Sequence, residues 1–106
     1  MNIAIIPARA ESKRIKKKNI KIFHGKPIIV WSIQEALKSK LFSKVIVSTD
    51  SKKIANLSKK YGAEVPYLRS KSLSNSTANI NDVIFDVLKY YKDKKIFFNY
   101  ASLIYA

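Results

Sequence analysis

The chain has 106 residues, of which 47% are hydrophobic and 26% charged, and this is typical of one small globular domain rather than two domains or a disordered tail. It has no cysteine and a single histidine, His24, which excludes disulfides, thiolate metal sites and multi-histidine metal clusters. The net charge of +14 favours anionic partners, without choosing among nucleic acid, a membrane surface and phosphorylated small molecules.

The first third of the chain predicts a strand, a loop and a helix. The apolar run Ile3 to Ile6 lacks polar alternation and predicts a buried strand of a parallel sheet, ended by Pro7. Residues 8–19 are basic and poor in apolar side chains, so they predict a surface loop. A helix should follow with Pro27 in its first position and end near Lys40.

A second strand and helix come next. Val45-Ile46-Val47 is β-branched and predicts a strand, and Asp50-Ser51 should cap the helix that follows, with Asp50 favoured as the cap. Apolar residues on one face and lysines elsewhere predict a helix with a solvated basic face, which includes Lys59. Gly62 is a natural left-handed stop.

The rest of the chain predicts an edge strand, a loop, a third helix and a last strand. Pro66 favours an edge position for residues 63–68, and the polar stretch 69–79 predicts an ordered loop. The strand should run from Ile96 onward, with Phe97 packed beside it. The clearest helical face in the sequence is formed by Ile80, Val83, Ile84, Val87, Leu88 and Tyr91.

This order of elements implies right-handed parallel crossovers and hence a three-layer, Rossmann-like α/β fold with a mostly parallel sheet. We expect residues 1–106 to form a single partial domain whose last strand leaves an open sheet edge. Ligands of such sheets bind beyond the carboxyl ends of the strands, which points to residues 8–19, to the surroundings of Asp50 and to residues 69–79.

The loop after the first strand carries six cations between positions 9 and 18. That density at the end of a parallel strand suits a triphosphate, although a solvated basic loop would show the same charge. No glycine-rich phosphate motif occurs, and the first glycine is Gly25. If phosphate binds here, side chains rather than backbone amides must provide most of the contacts.

Several motifs resemble the opening of acylneuraminate and pseudaminic acid cytidylyltransferases. The resemblance covers nearly the whole chain, and its closing residues 103–106 are similar to the pseudaminic acid branch. It is carried in order by Ile5-Ile6-Pro7-Ala8-Arg9, Ser12-Lys13-Arg14-Ile15, Lys18-Asn19, Gly25-Lys26-Pro27, Leu41-Phe42, Val45-Ile46-Val47-Ser48-Thr49-Asp50, Tyr61-Gly62-Ala63-Glu64-Val65-Pro66 and Leu68-Arg69.

The resemblance implies an enzyme that transfers a cytidylyl group from CTP to an acidic nine-carbon sugar of the pseudaminic or sialic acid type and releases pyrophosphate. The start of the chain lacks the pattern of a signal peptide, and no apolar run is long enough to span a bilayer, so we expect a cytoplasmic location. Arg9 and Lys18 match the catalytic, phosphate-binding arginine and lysine. The residues implied to bind nucleotide are Ala8, Arg9, Ser12, Lys13, Arg14, Lys18, Asn19, Arg69, Ser76, Thr77 and Asn79.

The sequence departs from the family pattern in two respects. Ala10-Glu11 stands where the family commonly has a glycine pair, so Glu11 adds an anion near the expected phosphates. Members of the family are also about twice as long as this chain. Their additional carboxyl-terminal part supplies the Mg²⁺ ligands, the sugar contacts and a segment that forms the homodimer. The chain is thus expected to be the N-terminal, CTP-binding half, with no metal ligand of its own and no activity alone.

Three alternatives stay open. The charge is also compatible with a small nucleic-acid-binding module, but no signature of such a module occurs, and we expect neither nucleic acid nor membrane as a partner. A related deoxy-octulosonate cytidylyltransferase is a closer alternative, although Ser12-Lys13-Arg14 and residues 61–66 match the nonulosonate group better. The third alternative is an inactive remnant of such an enzyme.

Overall fold

The computed structural model of the protein describes residues 1–8, 22–23, 25–69 and 80–104. Its elements in chain order are β1 (Asn2–Pro7), β2 (Ile22–Phe23), β3 (Lys26–Pro27), α1 (Ile28–Ser39), β4 (Lys44–Ser48), α2 (Lys52–Lys60), α3 (Ile80–Asp93) and β5 (Tyr100–Leu103). No helix in these ranges combines the length and the apolar character that a membrane crossing requires.

Three strands form a parallel sheet with β1 at its centre, in the order β4, β1, β5. Ile3 pairs with Lys44 on one side of β1 and with Ala101 on the other. Residues 63–65 continue the sheet beyond β4 through a parallel bridge between Ile46 and Glu64. The predicted parallel α/β arrangement is confirmed, and β5 lies at the end of the strand order with its first three residues exposed.

The two faces of the sheet bury separate cores because alternate residues of β1 point to opposite sides. Ala4 and Ile6 pack with α1 and α2, whereas Ile3 and Ile5 pack with Val87 and other residues of α3. All four β1 residues are fully buried. The expected three layers are therefore present, with α1 and α2 on one face and α3 on the other.

Several predicted boundaries were wrong. Pro27 precedes α1 instead of opening it, because it ends β3, which pairs with β2 in a short antiparallel hairpin that the sequence did not predict. The third strand reduces to the single bridge at Glu64. The last strand begins at Tyr100 rather than Ile96, and Phe97 is 63% exposed because its neighbour Phe98 takes the core position beside Tyr91.

The predicted ends of the helices agree better with the structure. α1 ends at Ser39 with Lys40 in the left-handed conformation, and α2 is followed by Gly62 at a φ of 102°. A Cβ built on Gly62 would lie 3.0 Å from Cδ1 of Leu37, which the exposed Leu37 side chain can relieve by moving, so glycine is favoured there mainly for its backbone conformation. The lysines of α2, including Lys59, are exposed as predicted.

Candidate active site

The carboxyl ends of β1 and β4 meet at one edge of the sheet. The amide of Ala8, directly after β1, donates to the carbonyl of Ser48 at 2.8 Å. Ala8 is 1% exposed, and its side chain belongs to the core between the sheet and α1. Of the predicted nucleotide-binding residues, Ala8 thus lies at the expected edge, where its amide bonds to the end of β4.

Arg69 reaches the same edge from the other side of β4. Its amide donates to the carbonyl of Thr49 at 2.7 Å, and the residue is 5% exposed. Thr49 is fully buried and follows Ser48, the hydrogen-bond partner of Ala8. The end of β4 therefore brings together Ala8 and Arg69, two predicted site residues that are far apart in the sequence.

The turn between β4 and α2 is held by its own hydroxyl groups. The amide of Ser51 donates to Oγ1 of Thr49 at 3.1 Å, and Oγ of Ser51 accepts from the amide of Ile54 at 3.2 Å. Ser51 is therefore the N-cap of α2, and the prediction that Asp50 would be the cap was wrong, because the hydroxyl one residue later has the reach to the free amide.

Tyr67, two residues before Arg69, is hydrogen-bonded to a carboxylate on α3. Oη of Tyr67 donates to Oδ2 of Asp86 on α3 at 2.5 Å. Burial, followed by the hydrogen bond to Asp86 and its negative charge, raises the pKa of Tyr67 above its ordinary range, and the positive charge of Arg69 opposes that rise. The phenol of Tyr67 thus interacts with the carboxylate of Asp86 through a hydrogen bond and with the guanidinium of Arg69 through its charge.

Sequence reasoning did not single out Ser48, Thr49 or Tyr67 as site residues. The hydroxyl of Ser48 is buried and makes no hydrogen bond among the residues that the structure describes. The signal available for Ser48 and Thr49 was their place at the end of a predicted parallel strand, where ligands of such sheets bind. No sequence pattern points to Tyr67, because its partner Asp86 lies on another element.

Most of the predicted site lies outside the described ranges. The structure is therefore silent on the phosphate contacts of the first loop and on the base contacts of the second, which stay predictions. These residues are Arg9, Ser12, Lys13, Arg14, Lys18, Asn19, Ser76, Thr77 and Asn79.

The described residues do not fit a metal site by themselves. Within these ranges no group of three or more histidine, cysteine, aspartate or glutamate side chains could hold a metal ion. A divalent cation would need such oxygen ligands to converge on it. The predicted Mg²⁺ is thus not assigned to any described residue of this chain.

The sequence and the fold both have counterparts among known proteins. The family model described as "Cytidylyltransferase" matches residues 3–102. The chain is 41% identical over 102 residues to CMP-N,N'-diacetyllegionaminic acid synthase of Legionella pneumophila, and this match covers 96% of the chain and 44% of that protein. It is 39% identical over 105 residues to pseudaminic acid cytidylyltransferase of Campylobacter jejuni, with 99% of the chain and 45% of that protein covered.

A solved structure shares the fold. The structure of CMP:2-keto-3-deoxy-manno-octonic acid synthetase complexed with CTP superposes with a TM-score of 0.74 at 22% sequence identity. The superposition covers 96% of this chain and 39% of that one. The chain therefore spans less than half the length of these relatives while matching them almost from end to end.

Proposed function

Because this chain belongs to the cytidylyltransferase family, we propose that it binds CTP at the carboxyl edge of its sheet and supplies the nucleotide half of a cytidylyl transfer to an acidic sugar. The observation that carries the proposal is the meeting of Ala8 and Arg69 at the end of β4. The first residue of the phosphate loop and the first residue of the base loop thus lie at one edge of the sheet. A nucleotide that spans both loops would thus be bound at one site.

In the proposed reaction a hydroxyl oxygen of the sugar attacks the α-phosphorus of CTP. A new oxygen–phosphorus bond forms, the bond to pyrophosphate breaks, and the hydroxyl proton is lost to a base. This chemistry requires in-line positioning and neutralisation of phosphate charge more than covalent participation by the protein. Arg9 and Lys18 would supply the positive charge, and Mg²⁺, with ligands expected beyond the described residues, would neutralise the departing pyrophosphate.

The acceptor is proposed to be a nine-carbon acidic sugar of the pseudaminic or sialic acid type. The relatives named for pseudaminic and N,N'-diacetyllegionaminic acids support this class. The same proposal includes a cytoplasmic location and a homodimer for a protein of the relatives' length. Neither nucleic acid nor membrane is a partner in it.

The base is the sharpest test of the proposed function. Residues 69–79 are expected to form hydrogen bonds with the Watson–Crick edge of cytosine. Uracil, the base of UTP, has a carbonyl acceptor where cytosine has an amino donor. Leaving a buried polar group without its partner costs about 1–3 kcal/mol, so CTP should bind about tenfold more tightly than UTP, and ATP and GTP more weakly still. Calorimetric titration of the chain with the four nucleotides in the presence of Mg²⁺ measures this preference.

The same titration separates the proposal from the nucleic-acid alternative. Equal binding of all four nucleotides would reduce the site to a phosphate-binding surface. Binding to oligonucleotides that weakens steeply with salt, without any preference for CTP, would instead favour a nucleic-acid-binding module. Arg69→Lys tests the described part of the site, because it keeps the charge but loses the planar group, and it should weaken CTP binding more than Lys59→Arg on the solvated face of α2.

A further inference from the structure

Two side chains join the segments on either side of residues 70–79. Tyr67 lies in the segment that leads to Arg69, and Asp86 lies on α3, which begins at Ile80. Oη of Tyr67 donates to Oδ2 of Asp86 at 2.5 Å. The chain before the predicted base loop is thereby tied to the helix after it.

Ring packing strengthens the same junction. The rings of Tyr67 and Tyr90 have centroids 4.9 Å apart at an interplanar angle of 35°. Tyr90 in turn meets Tyr91 edge to face at 5.2 Å, and Tyr91 is buried in the core under β1. The phenol of Tyr67 is thus held by α3 through a polar contact at its tip and an aromatic contact along its ring.

The opposite side of this segment is fixed by the sheet. The amide of Arg69 donates to the carbonyl of Thr49 at 2.7 Å, and that of Glu64 donates to the carbonyl of Val45 at 2.9 Å. Residues 64–69 are therefore held between β4 on one side and α3 on the other. The contact of Tyr67 with Asp86 provides a polar link from this segment to α3.

We propose that Tyr67 and Asp86 are positioning residues for base selection: together they set the position of Arg69 relative to the start of α3. The inference rests on the proposed function, in which the base is read from Arg69 onward. Neither residue needs to touch the nucleotide. Their role is to fix the two ends of the base loop before the nucleotide binds, so that binding of the correct base does not have to supply the free energy for this ordering.

Base discrimination is more sensitive to such positioning than phosphate binding is. Hydrogen bonds to a base edge weaken steeply when distances or angles change, whereas attraction between cations and a triphosphate falls slowly with distance. A looser junction should therefore reduce the preference for CTP over UTP. A general loss of folded protein would instead weaken both nucleotides by the same factor.

The test compares Tyr67→Phe, Asp86→Asn and the control Tyr100→Phe by calorimetric titration with CTP and UTP. Tyr67→Phe removes the donor and should weaken CTP binding about tenfold while changing UTP binding much less. Asp86→Asn keeps an oxygen acceptor and should lose less of the preference. Tyr100 is 73% exposed on β5, so its variant should match the parent chain.

Amide hydrogen exchange without nucleotide provides a second readout. The amide of Arg69 should exchange about tenfold faster in Tyr67→Phe, while that of Ala8, bonded to Ser48, should keep its rate. Parental selectivity in Tyr67→Phe, or equal weakening of CTP and UTP, would overturn the inference. If the parent chain fails to bind CTP, the proposed function is contradicted. Hydrogen exchange still tests the inference in that case, because an unchanged exchange rate at Arg69 in Tyr67→Phe would overturn the link between Tyr67 and the site.

Discussion

Lys44 at the start of β4 forms an ion pair with Glu64 in the neighbouring segment, with Nζ 3.3 Å from Oε1. The two side chains keep 28% and 50% of their exposure, so water screens the attraction. We expect Lys44→Met to lower the free energy of unfolding by less than about 1 kcal/mol, and the loss to shrink as salt is added. Urea unfolding at low and high salt, with Glu64→Gln to complete a double-mutant cycle, measures the coupling; a large, salt-independent value would contradict this expectation.

Tyr91 should make the protein sensitive to high pH. Burial, followed by the negative charge of Glu64 and by Tyr90, raises the pKa of Tyr91 from 10.0 to about 12. Because the folded state favours the neutral phenol, its contribution to stability is complete below pH 10 and is lost as the pH rises through about 12. In urea unfolding across this pH range, the free energy of unfolding should fall less steeply with pH for Tyr91→Phe than for the parent. Tyr100→Phe should show the same pH dependence as the parent.

The first loop should carry the charge that turnover requires. In a version extended to the length of the relatives, Arg9→Ala or Lys18→Met should lower turnover by about 10²-fold or more, the scale lost when a preorganised charge-stabilising group is removed. Lys59→Met, which removes an exposed cation from α2, is the matched control and should change turnover little. Comparable losses at Lys18 and Lys59 would refute the assignment of the loop.

The 106 residues alone should release no pyrophosphate. Cytidylyl transfer needs a divalent cation to offset charge on the phosphates, and the described residues contain no cluster that could hold one. The assay combines the purified chain with CTP, Mg²⁺ and either pseudaminic or N-acetylneuraminic acid. Stoichiometric turnover would show that this chain forms its own metal site.

The outer strand should promote self-association. Tyr100 is 73% exposed on β5, which lies at the end of the strand order, and Phe97 shortly before it is 63% exposed. A charged residue on such a strand opposes pairing with a second chain. Sedimentation at several concentrations should show less association for Tyr100→Lys than for the parent, while Lys59→Glu on α2 should not have this effect.

Regular patterns made most of the fold predictable. The unbroken apolar run of β1 and the helical spacing of α3 are properties of neighbouring residues, so the sequence alone revealed them. The hairpin of β2 and β3 was missed because two residues per strand carry no period. The start of β5 was misplaced because its pairing with β1, not the apolar character of residues 96–98, decides where the strand begins.

The candidate site was predictable only in part. The predicted parallel order places the loops that begin at Ala8 and Arg69 at one edge, and these residues bond to the neighbouring Ser48 and Thr49 there. Their roles in binding stay predictions. The contact between Tyr67 and Asp86 could not be predicted, because it depends on how α3 crosses the back of the sheet. Tertiary packing thus supplied the part of the site for which local sequence patterns carry no signal.

The central place of β1 also dictates an order of events during folding. Asn2 pairs with Tyr100 and Ile3 with Lys44, so the two neighbours of β1 come from very different distances along the chain. Because of chain entropy, closing the longer loop, from β1 to β5, costs about 0.8 kcal/mol more free energy than closing the shorter loop, from β1 to β4. As the chain leaves the ribosome, β1 and β4 can therefore meet first, and we expect the other edge of β1 to stay unpaired until more than a hundred residues have emerged.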